Sequence, residues 1–184
     1  QSGTPDTALF VALADTIRTH ALPLQPFYDL LAAFRQDVTQ TRYADFEELA
    51  EYCRRSANPV GRLLLRLVRC DSEANIALSD AVCTGLQLTN FLQDVGADYT
   101  RGRIYLPISE LQQYDVKAHE ILKRSYSDRF TALMKYQARR AQGLYDEALA
   151  LLPAADRRAQ KPGLMMASIY RTLLREIERD NFQV

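Results

Sequence analysis

Gln87, Asn90, Asp94 and Asp98 recur at three- and four-residue intervals in the stretch Gln87-Leu-Thr-Asn90-Phe-Leu-Gln-Asp94-Val-Gly-Ala-Asp98. At about 100° per residue they fall near 0°, −60°, −20° and +20° around a helix. Four polar side chains thus share one narrow stripe of a segment otherwise rich in Leu, Val and Ala. Cys83 and Phe91 flank that stripe at about −40° and +40°, so it is not simply the wet face. Two carboxylates one turn apart repel each other unless a cation sits between them, and buried polar groups need partners. Carboxylate and amide oxygens suit Mg²⁺, which prefers hard oxygen ligands and keeps waters and substrate phosphates in its shell. The stripe reads as a wall for diphosphate and magnesium.

The acidic pair alone would say little. With 23 acids in 184 residues, chance supplies roughly three pairs at this spacing, and most are solvated helix faces. Gln87 and Asn90 on the same stripe give the pair its weight. Tyr99-Thr-Arg101-Gly102-Arg103-Ile-Tyr105-Leu-Pro107 follows at once. Two Arg beside a Gly at a helix end can fold back onto an anion held at the carboxylates, and the planar guanidinium fork matches diphosphate. The plainer role of such Arg residues is to complement the helix dipole. Earlier, Tyr52, Ser56, Pro59 and Leu63 share a face. Small residues beside a ring leave room for an apolar chain, and a ring face can stabilise a cation; close packing at a kink is the plainer account. Tyr170 lies on the stripe of Met166, Leu173 and Ile177, where a Tyr is ordinarily core.

The elements that must position these groups are helical almost throughout. Thr4-Pro5-Asp6 reads as a helix start, with Phe10, Leu13, Ala14 and Ile17 at helical spacing. After Pro23 and Pro26, a second helix presents Phe27, Leu30, Leu31, Phe34 and Val38 on one face. Asp45-Phe-Glu-Glu48 resembles a capping box and opens a third helix through Tyr52. Asn58-Pro59 breaks or kinks it. Leu63–Val68 continues the helical pattern. A long helix is expected over about Glu73–Tyr99, ended by Arg101-Gly102-Arg103 and Pro107. Another runs from His119 to Leu152, residues 153–163 form an exposed loop, and Leu164–Phe182 is the last helix. There is no long alternating strand pattern, no linker and no internal repeat. The class is all-α, a bundle forming a single domain over residues 1–184.

Composition bounds the function. Lys plus Arg and Asp plus Glu are both 23, so the net charge is zero, and nothing favours nucleic-acid binding. Three Cys without a C-x-x-C spacing and two His argue against a disulfide framework or a zinc site, and point to a reducing cytosol. No apolar run approaches the ~20 residues of a membrane span, so any lipid contact is peripheral.

Taken together, three segments resemble the squalene/phytoene synthase family, the head-to-head prenyl synthases of the isoprenoid-synthase fold. They are Tyr52-Cys53 through Val60-Gly61, the Gln87–Asn90–Asp94–Asp98 series, and Arg101-Gly-Arg-Ile-Tyr-Leu-Pro107. The wording of the first two is most similar to the bacterial hopanoid-pathway branch. Many relatives carry Arg before the first Asp of the series, where this chain has Gln93. The resemblance implies Mg²⁺ held by Asp94 and Asp98, a diphosphate oriented by Gln87 and Asn90 and neutralised by Arg103, and Tyr52, Tyr105 and Tyr170 near the reacting chain in an apolar tunnel. Farnesyl or presqualene diphosphate would be the substrate, and hydroxysqualene or squalene the product. It leaves open a pathway reductase partner and peripheral contact with the inner face of the membrane.

Family members are longer and carry a first Asp-rich motif on an earlier helix. Asp6 and Asp15 are isolated and Asp37 has no acidic partner one turn away, so no counterpart is found. The start at Gln1 and the end at Val184 without helix-stop chemistry lead to the expectation of a C-terminal portion, truncated relative to the family. Two alternatives stand beside the synthase reading: a phytoene or dehydrosqualene synthase of the same fold, and a helical lipid-binding or scaffold protein without catalysis.

Overall fold

The computed structural model describes residues 7–184, and every regular element among them is a helix. In chain order these are α1 (Ala8–Thr19), α2 (Gln25–Thr39), α3 (Phe46–Ser56), α4 (Asn58–Leu67), α5 (Glu73–Gln93), α6 (Val95–Thr100), α7 (Ile108–Gln113), α8 (Ala118–Leu122), α9 (Asp128–Leu151) and α10 (Lys161–Arg179). The expected start at Thr4-Pro5-Asp6 lies outside the described residues; Thr7 caps α1, accepting from the Phe10 N–H.

Short polar side chains set the other starts. Asp45 accepts from the Glu48 N–H at 2.9 Å, and Glu48 reaches back to the Ala44 N–H, a capping box displaced by one residue. Ser72 and Ser127 cap α5 and α9. Proline sits in the first turn of α2, α4 and α10, where its missing N–H costs nothing. Pro59 accordingly begins α4 after a break at Ala57, as its chemistry requires.

The core is built on α5 against α9. Leu88, Thr89 and Leu92 of α5 are buried, as are Leu133, Met134, Ala138, Ala141 and Tyr145 of α9. Alanines at 138 and 141 let the two axes approach. Each fully buried Leu contributes roughly 1.5–3 kcal/mol of transfer free energy, so this pair is the frame on which the rest hangs. Helix α4 packs on α5, α10 packs on both α5 and α9, and α2 packs on α3 and α4.

Several sequence expectations change. The Glu73–Tyr99 helix is interrupted at Asp94, which ends α5 and precedes α6. The His119–Leu152 stretch is two helices, because the chain turns between α8 and the Ser127 cap. Helix α10 begins at Lys161, so the loop is shorter than 153–163. Helix α7 has no strong apolar period and escapes the pattern. The apolar faces of α1 and α2 are not core: Phe10, Leu31, Phe34 and Val38 are exposed, Val38 by 81%. An apolar stripe is buried only where another element lies opposite, and no described element covers these. No described helix is long and apolar enough to cross a membrane.

Candidate active site

The acidic pair sits at a joint. Asp94 caps the C-terminus of α5 and directly precedes α6; its N–H donates to the Asn90 carbonyl at 2.9 Å, and its carbonyl accepts from the Asp98 N–H at 2.7 Å. The helical hydrogen-bond series therefore survives the break, and both acids stay on one side. Asp94 is exposed and Asp98 is largely covered, its side chain 15% accessible. Gln87 and Asn90 are half-buried on the preceding turns of α5.

Burial, and then the Asp94 charge, push the Asp98 carboxyl above its ordinary value, while Arg101 and Arg103 draw it back. The Arg101 contact is 3.9 Å long and its side chain is 72% exposed. An ion pair of that kind contributes at most about 1 kcal/mol, too little to neutralise a covered acid beside a second one. Two carboxylates with two carboxamides on the preceding turns fit the oxygen donors of Mg²⁺, which is held by one or two carboxylates plus water and phosphate. Among the described residues no group of three or more His, Cys, Asp or Glu forms a complete cage, so the residues present could supply one part of such a site.

The turn after α6 is held by backbone. Gly102 takes φ +77°, a conformation that suits glycine, and the Arg101 and Arg103 N–H groups both donate to the Asp98 carbonyl. The chain then runs alongside the α2–α3 connection. Ile104 N–H donates to Thr41, Ile108 N–H to Tyr43 and Ser109 N–H to Ala44, while Arg42 donates to the Gly102 carbonyl at 2.6 Å. Arg103 points toward α2, where it donates to the Asp37 backbone carbonyl at 2.8 Å.

This strap delivers Tyr105 to an aromatic group. Tyr105 stacks on Phe91 at 4.0 Å between ring centroids and lies 5.9 Å from Tyr52 and 5.8 Å from Tyr43; Tyr43 and Tyr52 are 5.5 Å apart. Burial, joined by the neighbouring Asp37 carboxylate and the other phenols, holds the Tyr52 hydroxyl far above the usual tyrosine range. Burial and the same neighbours raise Tyr43 and Tyr105. All three phenols are neutral at any physiological pH, so they offer ring faces and hydroxyl dipoles rather than bases.

Of the residues expected to act together, Tyr52, Tyr105 and Arg103 are brought into one group, with Asp98 one turn away along the strap. Tyr170 is not among the rings in contact. It is half-buried on α10 near Tyr145, whose hydroxyl pairs with Thr89 at 2.9 Å. Tyr43 is not among the expected site residues, and Asp37 is weighed in the sequence only as an acid without a partner one turn away. Neither belongs to a repeating pattern; the one available signal was an acid in the last turn of α2, where the helix dipole disfavours negative charge. In place of an open tunnel, the rings of this group lie against one another.

The all-helical bundle is of the isoprenoid-synthase type. The squalene/phytoene synthase family model matches residues 1–184, and the chain belongs to that family. It is 35% identical to the 15-cis-phytoene synthase of Synechocystis sp. over 195 residues, covering 100% of this chain and 58% of that protein. It superposes on squalene synthase HpnC from Alicyclobacillus acidocaldarius with a TM-score of 0.88 at 36% identity, over 96% of this chain and 67% of that one. A dehydrosqualene synthase solved with a ligand gives a TM-score of 0.85 at 27% identity, over 97% and 63%. The chain thus spans 58% of the length of the Synechocystis protein.

Proposed function

We propose that this chain is the C-terminal catalytic portion, acting as one helical domain, of an Mg²⁺-dependent synthase that converts farnesyl or presqualene diphosphate to squalene or hydroxysqualene. The observation that supports this most is the covered Asp98 beside Asp94, with no strong cation partner among the described residues, near an arginine and a group of stacked aromatic rings.

Asp94 and Asp98 would hold Mg²⁺, which supplies positive charge to a departing diphosphate. Gln87 and Asn90 would orient that diphosphate through amide hydrogen bonds. Arg103, on its hydrogen-bonded strap, would add a fixed positive charge beside the leaving group. Tyr52, buried, and Tyr105, half-buried, both neutral, would present ring faces to the carbocation left behind and keep water from it. Tyr170, set apart on α10, would act on a more distant part of the chain.

The second reading is phytoene synthesis, favoured by the names of curated relatives at 33–35% identity, including the Zea mays and Arabidopsis thaliana proteins. The similarity to squalene synthase HpnC supports the first. Incubating the full-length protein with Mg²⁺ and farnesyl, presqualene or geranylgeranyl diphosphate separates them by product length. A C30 product that disappears in Asp94→Ala is expected. A C40 product establishes the second reading. No turnover of any diphosphate overturns the synthase reading, and full activity in Asp94→Ala overturns the metal role of that residue.

A further inference from the structure

Residues 181–184 turn back from α10 onto the helix that carries Asp98. Two backbone bonds close α10: the Asn181 N–H donates to the Glu178 carbonyl at 3.1 Å, and the Phe182 N–H to the Ile177 carbonyl at 2.9 Å. In this kind of helix end, one residue takes a left-handed φ and the next packs back on the helix. Asn181 has φ 49°, which a short polar side chain tolerates, but Phe182 has φ 59°, where a bulky residue is strained. Such strain persists only where the surroundings hold it. Here the Phe182 side chain is fully buried, in one cluster with Ile177 of α10 and Val95 of α6.

Val184 completes the contact. Its carbonyl oxygen accepts from the Tyr126 hydroxyl at 3.0 Å, and a Cβ added to Gly96 would stand 3.3 Å from that oxygen. Tyr126 lies between α8 and α9, and α8 packs on α6. Gly96 is the second residue of α6, midway between Asp94 and Asp98. The Val184 carbonyl is thus fixed from one side by a phenol and set from the other against the backbone between the two acids. The Asp94 N–H is bound to Asn90 of α5, whereas Asp98 lies on α6. A push on Gly96 therefore moves Asp98 relative to Asp94.

We propose that residues 181–184, with Tyr126, form a latch that seats Gly96 and so sets the separation of Asp98 from Asp94 for a divalent cation. The proposal rests on the metal reading of the two acids above. Tyr126, Phe182 and Gly96 act through Asp98 and are positioning residues. A seated α6 holds the acids in one geometry before the cation arrives, so less ordering is needed on binding. A released α6 leaves the same two ligands in place but binds the cation more weakly.

The test uses the full-length protein with Tyr126→Phe, Gly96→Ala and the pair. Tyr126→Phe removes one hydrogen bond from a half-buried side chain, and Gly96→Ala crowds the Val184 carbonyl while favouring the helix. Amide hydrogen exchange should quicken over residues 95–103 in Tyr126→Phe, with α5 and α9 protected as before. Mn²⁺ titration by electron paramagnetic resonance, with inorganic diphosphate present, should show each single variant binding about tenfold more weakly. The pair should fall short of the product of the two losses, because a carbonyl freed from Tyr126 can yield to the new methyl. With farnesyl diphosphate, half-saturation by Mg²⁺ should rise while kcat at saturating Mg²⁺ is nearly kept. Phe182→Leu, which shrinks the buried plug, should repeat the Tyr126→Phe pattern. Unchanged exchange at residues 95–103, exchange quickened throughout the chain, or unchanged Mn²⁺ affinity in the folded single variants overturns the latch. Fully multiplicative losses in the pair overturn the shared contact at Val184. A wild-type protein that binds no Mn²⁺ overturns the metal reading instead, and with it the link from latch to cation.

Discussion

Phe91 and Tyr105 stack face to face, 4.0 Å between centroids and 5° from parallel, joining α5 to the segment that follows the Arg-Gly-Arg turn. An aromatic pair of this kind adds about 0.5–1.5 kcal/mol beyond its buried area. Phe91→Leu keeps most of the buried volume, so it should lower stability by no more than about 1.5 kcal/mol. If the stack holds Tyr105 for catalysis, the same substitution lowers kcat by about tenfold, more than that loss of stability explains. Denaturant titration alongside steady-state kinetics reads both.

Gly85 faces the buried ring of Tyr145: a Cβ there would stand 2.9 Å from Cε1. The ring has nowhere to go, since it is fully buried and its hydroxyl pairs with Thr89. Ala has a helix-propensity advantage over Gly of roughly 1 kcal/mol, but overpacking costs about 1–3 kcal/mol. Gly85→Ala should therefore be net destabilising, whereas Gly143→Ala, with open space around it, should be neutral or stabilising. Urea midpoints compared between the two variants test this.

Glu110 is a buried acid on α7, bound by the Gln137 amide and by the Arg140 guanidinium at 2.6 Å, with Arg140 lying 3.7 Å over the Phe46 ring. Removing one partner leaves a covered charge uncompensated, which costs about 3–5 kcal/mol. For a chain of this size Glu110→Ala should lower the melting temperature by roughly 10 °C. A calorimetric scan showing a shift of only a degree or two would mean that Arg140 finds water instead.

Hydrogen bonds from Arg54, aided by Arg55, pull the Glu51 carboxyl from the usual 4.5 down to about 2. A depressed acid contributes stability above its unfolded pKa and loses it as pH falls toward the folded value, so the window is pH 4.5 to about 2. The group is well exposed, and solvent screening limits its contribution to about 1 kcal/mol or less. Glu51→Gln should be slightly less stable than wild type at pH 7, and the gap should narrow steadily as pH falls from 4.5 toward about 2.

Burial pushes the Cys53 thiol up to about 12 and also raises Cys83. Thiolate is the reactive form, so Cys53 should resist alkylation in the native protein. Half-buried Cys70 should label first with iodoacetamide at neutral pH, and Cys53 only after denaturation. Peptide mass spectrometry of the labelled chain gives the order.

The all-helical class, the capping box at Asp45 and the break at Pro59 were readable because each depends on neighbouring residues alone. The family resemblance set Tyr52, Tyr105 and Tyr170 near one reacting chain; Tyr52 and Tyr105 do lie together, while Tyr170 stands apart on α10. The interruption at Asp94 was not readable: a helical period continues across a joint that preserves its hydrogen bonds. Asp37 escaped because its meaning comes from Arg103, 66 residues later in the chain. Phe34 and Val38 were misplaced because a stripe of apolar residues says that something covers it, not whether that something is present.

Because α5 ends just before Asp94, Asp98 rides on a short arm whose far end is fastened by hydrogen bonds to Thr41, Arg42 and Asp37 as well as to α5 through the Phe91–Tyr105 stack. The gap between the two acids is thus adjusted from a remote anchor, much as a hinged jaw is set by its handle. Changes at Thr41 or Arg42, far from either acid in sequence, would shift Asp98 relative to Asp94 while leaving the α5–α9 frame as it was.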